Sequence, residues 1–310
     1  MPTTAFVFPG QGSQSVGMLN ELAVSQPAIL DLFTAASESV GYDVWELTQH
    51  GPEEKLNQTE HTQVAMLVAD VAVYKILQQQ GARPAMMAGH SLGEYAALVC
   101  ADAISLPDAA ALVQKRGQLM QETVPLGQGA MAAIVGLTDE EVQKLCMQVS
   151  TATSQAAPAN YNAIGQVVIA GHTSAVEKAI KLADEMGARM AINIPVSVPC
   201  HCLLLTEAAR RFADNLQSAN FKVPTVPVIS NVDLSVYQSV SQIKSLLREQ
   251  LYRPVRWVET IQGMKKKGIE QIIECGPGKT LSGLIKRIDK SLHVINVNDP
   301  SSFEAAITQL

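Results

Sequence analysis

The chain reads as an α/β protein with an α/β-hydrolase-like large domain, a mostly parallel sheet, and an inserted ferredoxin-like (βαββαβ) small subdomain. Three observations lead there. Short apolar runs alternate with helical patterns through most of the 310 residues, the arrangement of a parallel sheet covered on both faces. Residues 89–94, Gly-His-Ser-Leu-Gly-Glu, sit between an apolar run and a helix-favouring one, as a strand, sharp turn and helix would. Residues 128–198 interrupt the alternation with a β-α-β-β-α-β order of their own. The expected division is a large domain from 1–127 and 199–310, with 128–198 inserted.

Each element has its local reason. Ala5–Phe8 is an apolar strand closed by Pro9-Gly10. Met18 to Gly41 is mostly helical, interrupted near Pro27. Thr62 to Gln80 is apolar nearly all round, which predicts a buried helix ended by Gly81. Pro107 to Glu122 is amphipathic. In the insertion, Met131–Leu137 is a strand, and Thr138-Asp139-Glu140-Glu141 opens a helix through Val149 with a capping box. Strands near 159–162 and at Gln166–Ala170, a helix from Ser174 to Met186, and a strand at Arg189–Val196 complete it. Beyond it, the pattern predicts a helix opened by His201 and running to about Ser218, then a strand at Val226–Ser230. Helices near 239–251 and 255–267, a strand at Ile269–Glu274, a helix through Arg287 and a strand at His293–Val297 follow.

Composition narrows the function. The chain is 47% hydrophobic and 17% charged, enough for a packed core. Its net charge of −6 argues against a broad nucleic-acid surface. The stretch Met1–Pro9 has no basic segment, so no signal peptide is expected. No run reaches the ~18 apolar residues of a membrane span. Five cysteines, at 100, 146, 200, 202 and 275, are odd in number and scattered, against a disulfide framework. A cytoplasmic setting fits. Cys200-His201-Cys202 lacks the second ligand pair a structural metal needs.

The chemistry centres on Ser91. Glycines two before and two after it leave room for a strained turn that exposes a nucleophilic hydroxyl. Such a hydroxyl needs a base, and the chain has six histidines, at 50, 61, 90, 172, 201 and 293. His201 stands where the chain returns from the insertion, beside the cleft expected between the two parts; a surface helix-cap histidine would leave the same trace. No Asp or Glu between Ser91 and His201 follows a large-domain strand end, so no triad acid emerges. Two nucleotide-binding patterns fail. Gly10-x-Gly12 has Ser15 where the third glycine belongs, and Gly278-Lys279-Thr280 has Ile273 at the earlier glycine position.

Taken together, Phe8-Pro9-Gly10-Gln11-Gly12-Ser13-Gln14, Gly89 to Tyr95, Gln166 to Gly171, Pro195 to Pro199, His201 and Glu274 to Lys279 resemble the bacterial malonyl-CoA:acyl-carrier-protein transacylases of type II fatty acid synthesis. The resemblance runs from about residue 5 to the C-terminus. It implies transfer of a malonyl group to the phosphopantetheine thiol of acyl carrier protein, with Ser91 as nucleophile and His201 as general base. It further implies an oxyanion held by the backbone N–H groups of Gln11 and Leu92. Arg116 would hold the malonyl carboxylate, and the backbone carbonyl of Gln250 would orient His201 in place of an acid. The implied partners are malonyl-CoA and acyl carrier protein, with no cofactor, nucleic acid or membrane, and a monomeric state. Lys265-Lys266-Lys267 and Lys286-Arg287 are candidate docking patches for the acidic carrier. Cys200 stands where serine is expected in close relatives, which could make the site sensitive to oxidation.

Overall fold

The computed structural model describes residues 3–310; Met1 and Pro2, part of the N-terminal stretch read above, lie outside the described residues. Five strands form the large sheet: β1 (Thr4–Phe8), β2 (Met86–Gly89), β7 (Val228–Ile229), β8 (Gln271–Cys275) and β9 (His293–Val297). Their order is β7-β2-β1-β8-β9, every neighbouring pair parallel. Strands β2 and β8 are buried along their whole length. Burial on both faces explains why they read as continuous apolar runs.

Helices cover this sheet. Before β2 come α1 (Asn20–Ser25), α2 (Ala28–Val40), α3 (Val44–His50), α4 (Glu53–Leu56) and α5 (Thr59–Gln79); α6 (Gly93–Cys100) and α7 (Leu106–Thr123) follow it. Helix α5 starts three residues earlier than its apolar pattern suggests, and sixteen of its side chains are buried. The short helices α3 and α4 have no counterpart in the sequence reading, because seven and four residues are too few to establish a helical period.

The second sheet holds β3 (Gly129–Val135), β4 (Ala156–Ala163), β5 (Gln166–His172) and β6 (Met190–Ile194) in the order β4-β5-β3-β6, all antiparallel. Helices α8 (Asp139–Val149) and α9 (Thr173–Glu185) connect it, giving the ferredoxin-like order. The capping box at Thr138 and Glu141 is present. Alternation sorts the strands' side chains. Ala132, Ile134, Val167 and Ile169 pack with α8 and α9, while Met131, Val168 and Ala170 face the opposite way, toward Cys202.

The remaining helices are α10 (Thr206–Ser218), α11 (Val240–Glu249), α12 (Trp257–Lys266), α13 (Thr280–Ile288) and α14 (Pro300–Ile307). One expectation is corrected here. His201 does not open a helix: its φ is +58°, Cys202 is extended, and a single 3-10 turn, Leu203–Leu205, precedes α10. A left-handed residue cannot join a right-handed helix. This kink ties the His201 N–H to the Leu251 carbonyl at 3.0 Å.

Among the described residues, no helix is long and apolar enough to cross a membrane, and no cluster of His, Cys, Asp and Glu could hold a metal ion. The phosphate-loop likeness at Gly278 also has a structural answer. The buried Glu274 carboxylate accepts from the Leu281 and Ser282 amides at the start of α13, at 2.9 and 2.7 Å. It fills the place where a helix N-terminus would hold a phosphate.

Candidate active site

The carboxyl ends of β1 and β2 open onto one cleft of about 790 Å³, whose walls include Gln11, His90, Ser91, Asn162 and His201. Ligands of open parallel sheets bind at this edge. The elbow explains how Ser91 stands there. A Cβ at Gly89 would lie 1.8 Å from the Gly93 carbonyl carbon, and one at Gly93 would lie 2.1 Å from the Phe8 carbonyl oxygen. Only glycine allows α6 to start so close to two strand ends. Ser91 is left at φ +54°, strain of about 1–3 kcal/mol that its surroundings must hold.

Asn231, just past β7, provides that hold. Its Oδ1 accepts from the Ser91 N–H at 2.8 Å, and its Nδ2 donates to the Gly89 carbonyl at 2.7 Å. Nothing in the sequence marks this residue: its partners lie about 140 positions away, beyond the reach of any local pattern.

Opposite Ser91 sits His201, 2% exposed, with Nε2 2.7 Å from Ser91 Oγ. Its Nδ1 lies 2.7 Å from the Gln250 carbonyl oxygen. A carbonyl can only accept, so Nδ1 carries the proton and Nε2 is left to accept from the serine hydroxyl. That carbonyl is free because α11 ends at Glu249: the Tyr252 and Arg253 amides turn back to the Glu249 carbonyl, and among the described residues no backbone N–H claims that of Gln250. Burial, reinforced by the Arg116 guanidinium, pushes the imidazole down to about 3, so it is neutral at pH 7. His90, next to the serine, points elsewhere: its Nε2 meets Asn162 Oδ1 at 2.8 Å.

The Leu92 amide opens α6, where N–H groups lack helical acceptors, and the Gln11 amide lies in the loop after β1. Among the described residues neither amide donates a hydrogen bond. Both therefore have a hydrogen to offer an oxyanion beside Ser91.

Arg116, on α7, is 1% exposed. Gly117 lets α7 close on the start of α5, since a Cβ there would lie 2.5 Å from Glu60 Cα. Arg116 Nη1 donates to Gln63 Oε1 at 2.8 Å and Nη2 to Gln250 Oε1 at 3.0 Å. Its Nε has no partner among the described residues, nor does any carboxylate pair with the guanidinium. Gln250 therefore touches both the histidine, through its backbone, and the arginine, through its side chain. Beneath them, Glu94 is fully buried. Its carboxylate accepts from Gln250 Nε2 at 2.6 Å and from the Tyr237 hydroxyl. Burial pushes Glu94 up to about 7, against those hydrogen bonds and the attraction of Arg116. Gln63, Glu94 and Tyr237 escaped the sequence reading; only Glu94, three residues past the serine, gave a local hint.

A neutral histidine aligned on a strained serine, two open amides beside it and a buried guanidinium nearby define the class: an α/β enzyme built for acyl transfer. The comparisons agree. Residues 5–303 match the acyl transferase domain model. A malonyl CoA-acyl carrier protein transacylase of Escherichia coli K12 is 50% identical over 308 residues, covering 99% of each chain. The structure of the malonyl CoA-acyl carrier protein transacylase from Coxiella burnetii superposes with a TM-score of 0.98 at 48% identity, covering 100% of this chain and 98% of that one. A malonyl-transacylase solved in complex with a type II polyketide synthase acyl-carrier protein gives 0.97 at 46% identity, covering 99% of both chains. The chain belongs to the acyl transferase family, among the malonyl CoA-acyl carrier protein transacylases.

Proposed function

We propose that this chain transfers the malonyl group of malonyl-CoA to the phosphopantetheine thiol of acyl carrier protein through a malonyl ester on Ser91. The observation that carries the reading is the aligned set Ser91 Oγ, His201 and Gln250 carbonyl, with 2.7 Å at each step. Ser91 attacks the thioester carbonyl while His201 Nε2 takes the hydroxyl proton. The tetrahedral oxyanion rests on the Gln11 and Leu92 amides. Coenzyme A leaves as its thiol, taking the proton from Nε2. The carrier thiol then attacks the ester, giving its proton to Nε2, and Ser91 recovers it as the new thioester forms. No step calls for a cofactor.

A carbonyl in place of a triad acid leaves His201 oriented without a buried charge against its ring. Arg116 is the carboxylate clamp in this reading: a malonyl carboxylate arriving past Ser91 takes hydrogens now given to neutral carboxamide oxygens, so both donor and acceptor carry charge where only the donor did before. Segment 128–198 acts as the inserted subdomain that walls the cleft. The carrier docks at the exposed Lys286 and Arg287, on the last turn of the helix whose first turn, at Thr280 and Leu281, lines the cleft. The chain works as a cytoplasmic monomer.

The test is the fate of the acyl-enzyme. Partition toward the carrier or pantetheine thiol over water is expected. Dominant hydrolysis would overturn the transfer reading in favour of a serine hydrolase.

A further inference from the structure

The buried guanidinium of Arg116 has no carboxylate against it, yet an acid lies one side chain away. The Gln250 carboxamide accepts from Arg116 Nη2 on its oxygen and donates to Glu94 Oε2 from its nitrogen. The remaining N–H on that nitrogen goes to the Ser91 carbonyl at 3.0 Å. One amide thus joins cation, anion and nucleophile turn in an unbroken row. Glu94 is held from the other side by Tyr237 and, at 3.4 Å, by the Asn231 amide. Its complete burial leaves no solvent to screen its charge.

We propose that Glu94 is the resting counter-charge of Arg116, a positioning residue that sets how strongly the site prefers carboxylated over neutral acyl groups. The inference rests on Arg116 as the carboxylate clamp. With Glu94 ionised, the row Arg116–Gln250–Glu94 is close to neutral, and an incoming carboxylate adds an uncompensated negative charge to a buried site. With Glu94 neutral, the same carboxylate finds an unopposed guanidinium. The Glu94 charge therefore holds malonyl affinity down and keeps the intermediate from becoming too stable to release. The ionisable side chains facing Glu94 are Arg116 from α7, Tyr237 from the segment before α11, and Tyr95 from its own helix. Burial raises both tyrosines well above their usual range, so Glu94 is the group among them that changes charge near neutrality.

Glu94→Gln tests this. The carboxamide oxygen it introduces can keep the Gln250 hydrogen while the new NH2 donates to the Tyr237 oxygen, which turns from donor to acceptor, so the Arg116–Gln250 row stays hydrogen-bonded as the charge goes. KM for malonyl-CoA is expected to fall at least roughly fivefold, the low end of ordinary site-to-site coupling, with KM for acetyl-CoA unmoved. In an Arg116→Ala background the same change should do nothing to the malonyl-to-acetyl ratio. The unmutated enzyme supplies an independent readout: its malonyl-CoA KM should fall as pH is lowered from about 8 to about 6 while the acetyl-CoA KM stays level, since Glu94 takes up its proton in that range. Equal changes for both acyl groups, or a malonyl KM indifferent to the variant and to pH, would overturn the proposal. Should Arg116→Ala alone leave malonyl preference intact, the clamp reading itself has failed, an outcome distinct from failure of the Glu94 inference.

Discussion

The two sheets of this molecule divide the labour unequally. The parallel sheet carries Ser91 on the turn after β2, the kink before α10 and the end of α11 bring His201 and the Gln250 carbonyl to it, and strands β2 and β8 are buried end to end. The antiparallel sheet supplies walls: Met131, Asn160, Asn162, Val168 and Ile194 line the cleft, and three of the five residues of its edge strand β6 are exposed. A nucleophile held at positive φ has to be over-determined by its surroundings, which a doubly covered sheet provides. A wall that admits a long thioester substrate needs no such rigidity.

The largest blow to this contrast would come from its centre. Ser91→Ala or His201→Ala should lower transfer at least on the order of 10³-fold, each alone costing about as much as both together, because they act as a unit. Steady-state transfer assays read this directly. Replacing wall residues Met131 or Val168 by Ala should cost far less.

Next comes the arginine. Arg116→Ala should reduce malonyl transfer roughly 10–100-fold, the worth of one or two charge-assisted hydrogen bonds, while sparing acetyl transfer. Equal loss for both acyl groups would remove its carboxylate role.

Stability should follow the same division. Gly89→Ala forces a Cβ into the Gly93 backbone and should cost about 3 kcal/mol or more. Ile192→Ala, at a position 50% exposed on β6, should cost about 0.5 kcal/mol. Denaturant melts of both would reverse the argument if the two costs were alike.

Protonation separates the regions as well. His201, pushed down to about 3, stays a competent base as pH falls, so acetyl-enzyme formation should run level from about pH 8 to about pH 5 with no step at the ordinary histidine value. The sign for stability follows: the unfolded chain protonates His201 first, so the fold loses this contribution as pH drops below about 6.5. A kinetic step near that value would contradict the buried, neutral imidazole.

The smallest effect belongs to the surface. Charge reversal at Lys286 and Arg287 should raise the carrier-protein KM a few-fold at low salt, and the difference should fade as salt screens it.

How much of this was legible beforehand varies by interaction range. The elbow was visible because its requirement, glycines flanking a serine between strand and helix, is local. The antiparallel sheet was visible through the β-α-β-β-α-β order of its short apolar runs and helical patterns, and its helix start at Thr138 through the capping box. His201 was found by position, yet its setting was misjudged, because a left-handed kink at a non-glycine residue leaves no trace in composition. Asn231, Gln63 and Tyr237 were invisible, since each acts on residues more than fifty positions away. A polar side chain in a strand end or helix looks the same whether it faces water or a catalytic turn.

The central claim is that the strained turn at the end of β2 carries the acyl group. Mass spectrometry of the intact protein after brief exposure to malonyl-CoA tests it most directly, with peptide mapping of the adduct. The account predicts one malonyl ester, on Ser91, absent from Ser91→Ala and discharged on adding carrier protein. An adduct on another residue, or full transfer by Ser91→Ala, would contradict it.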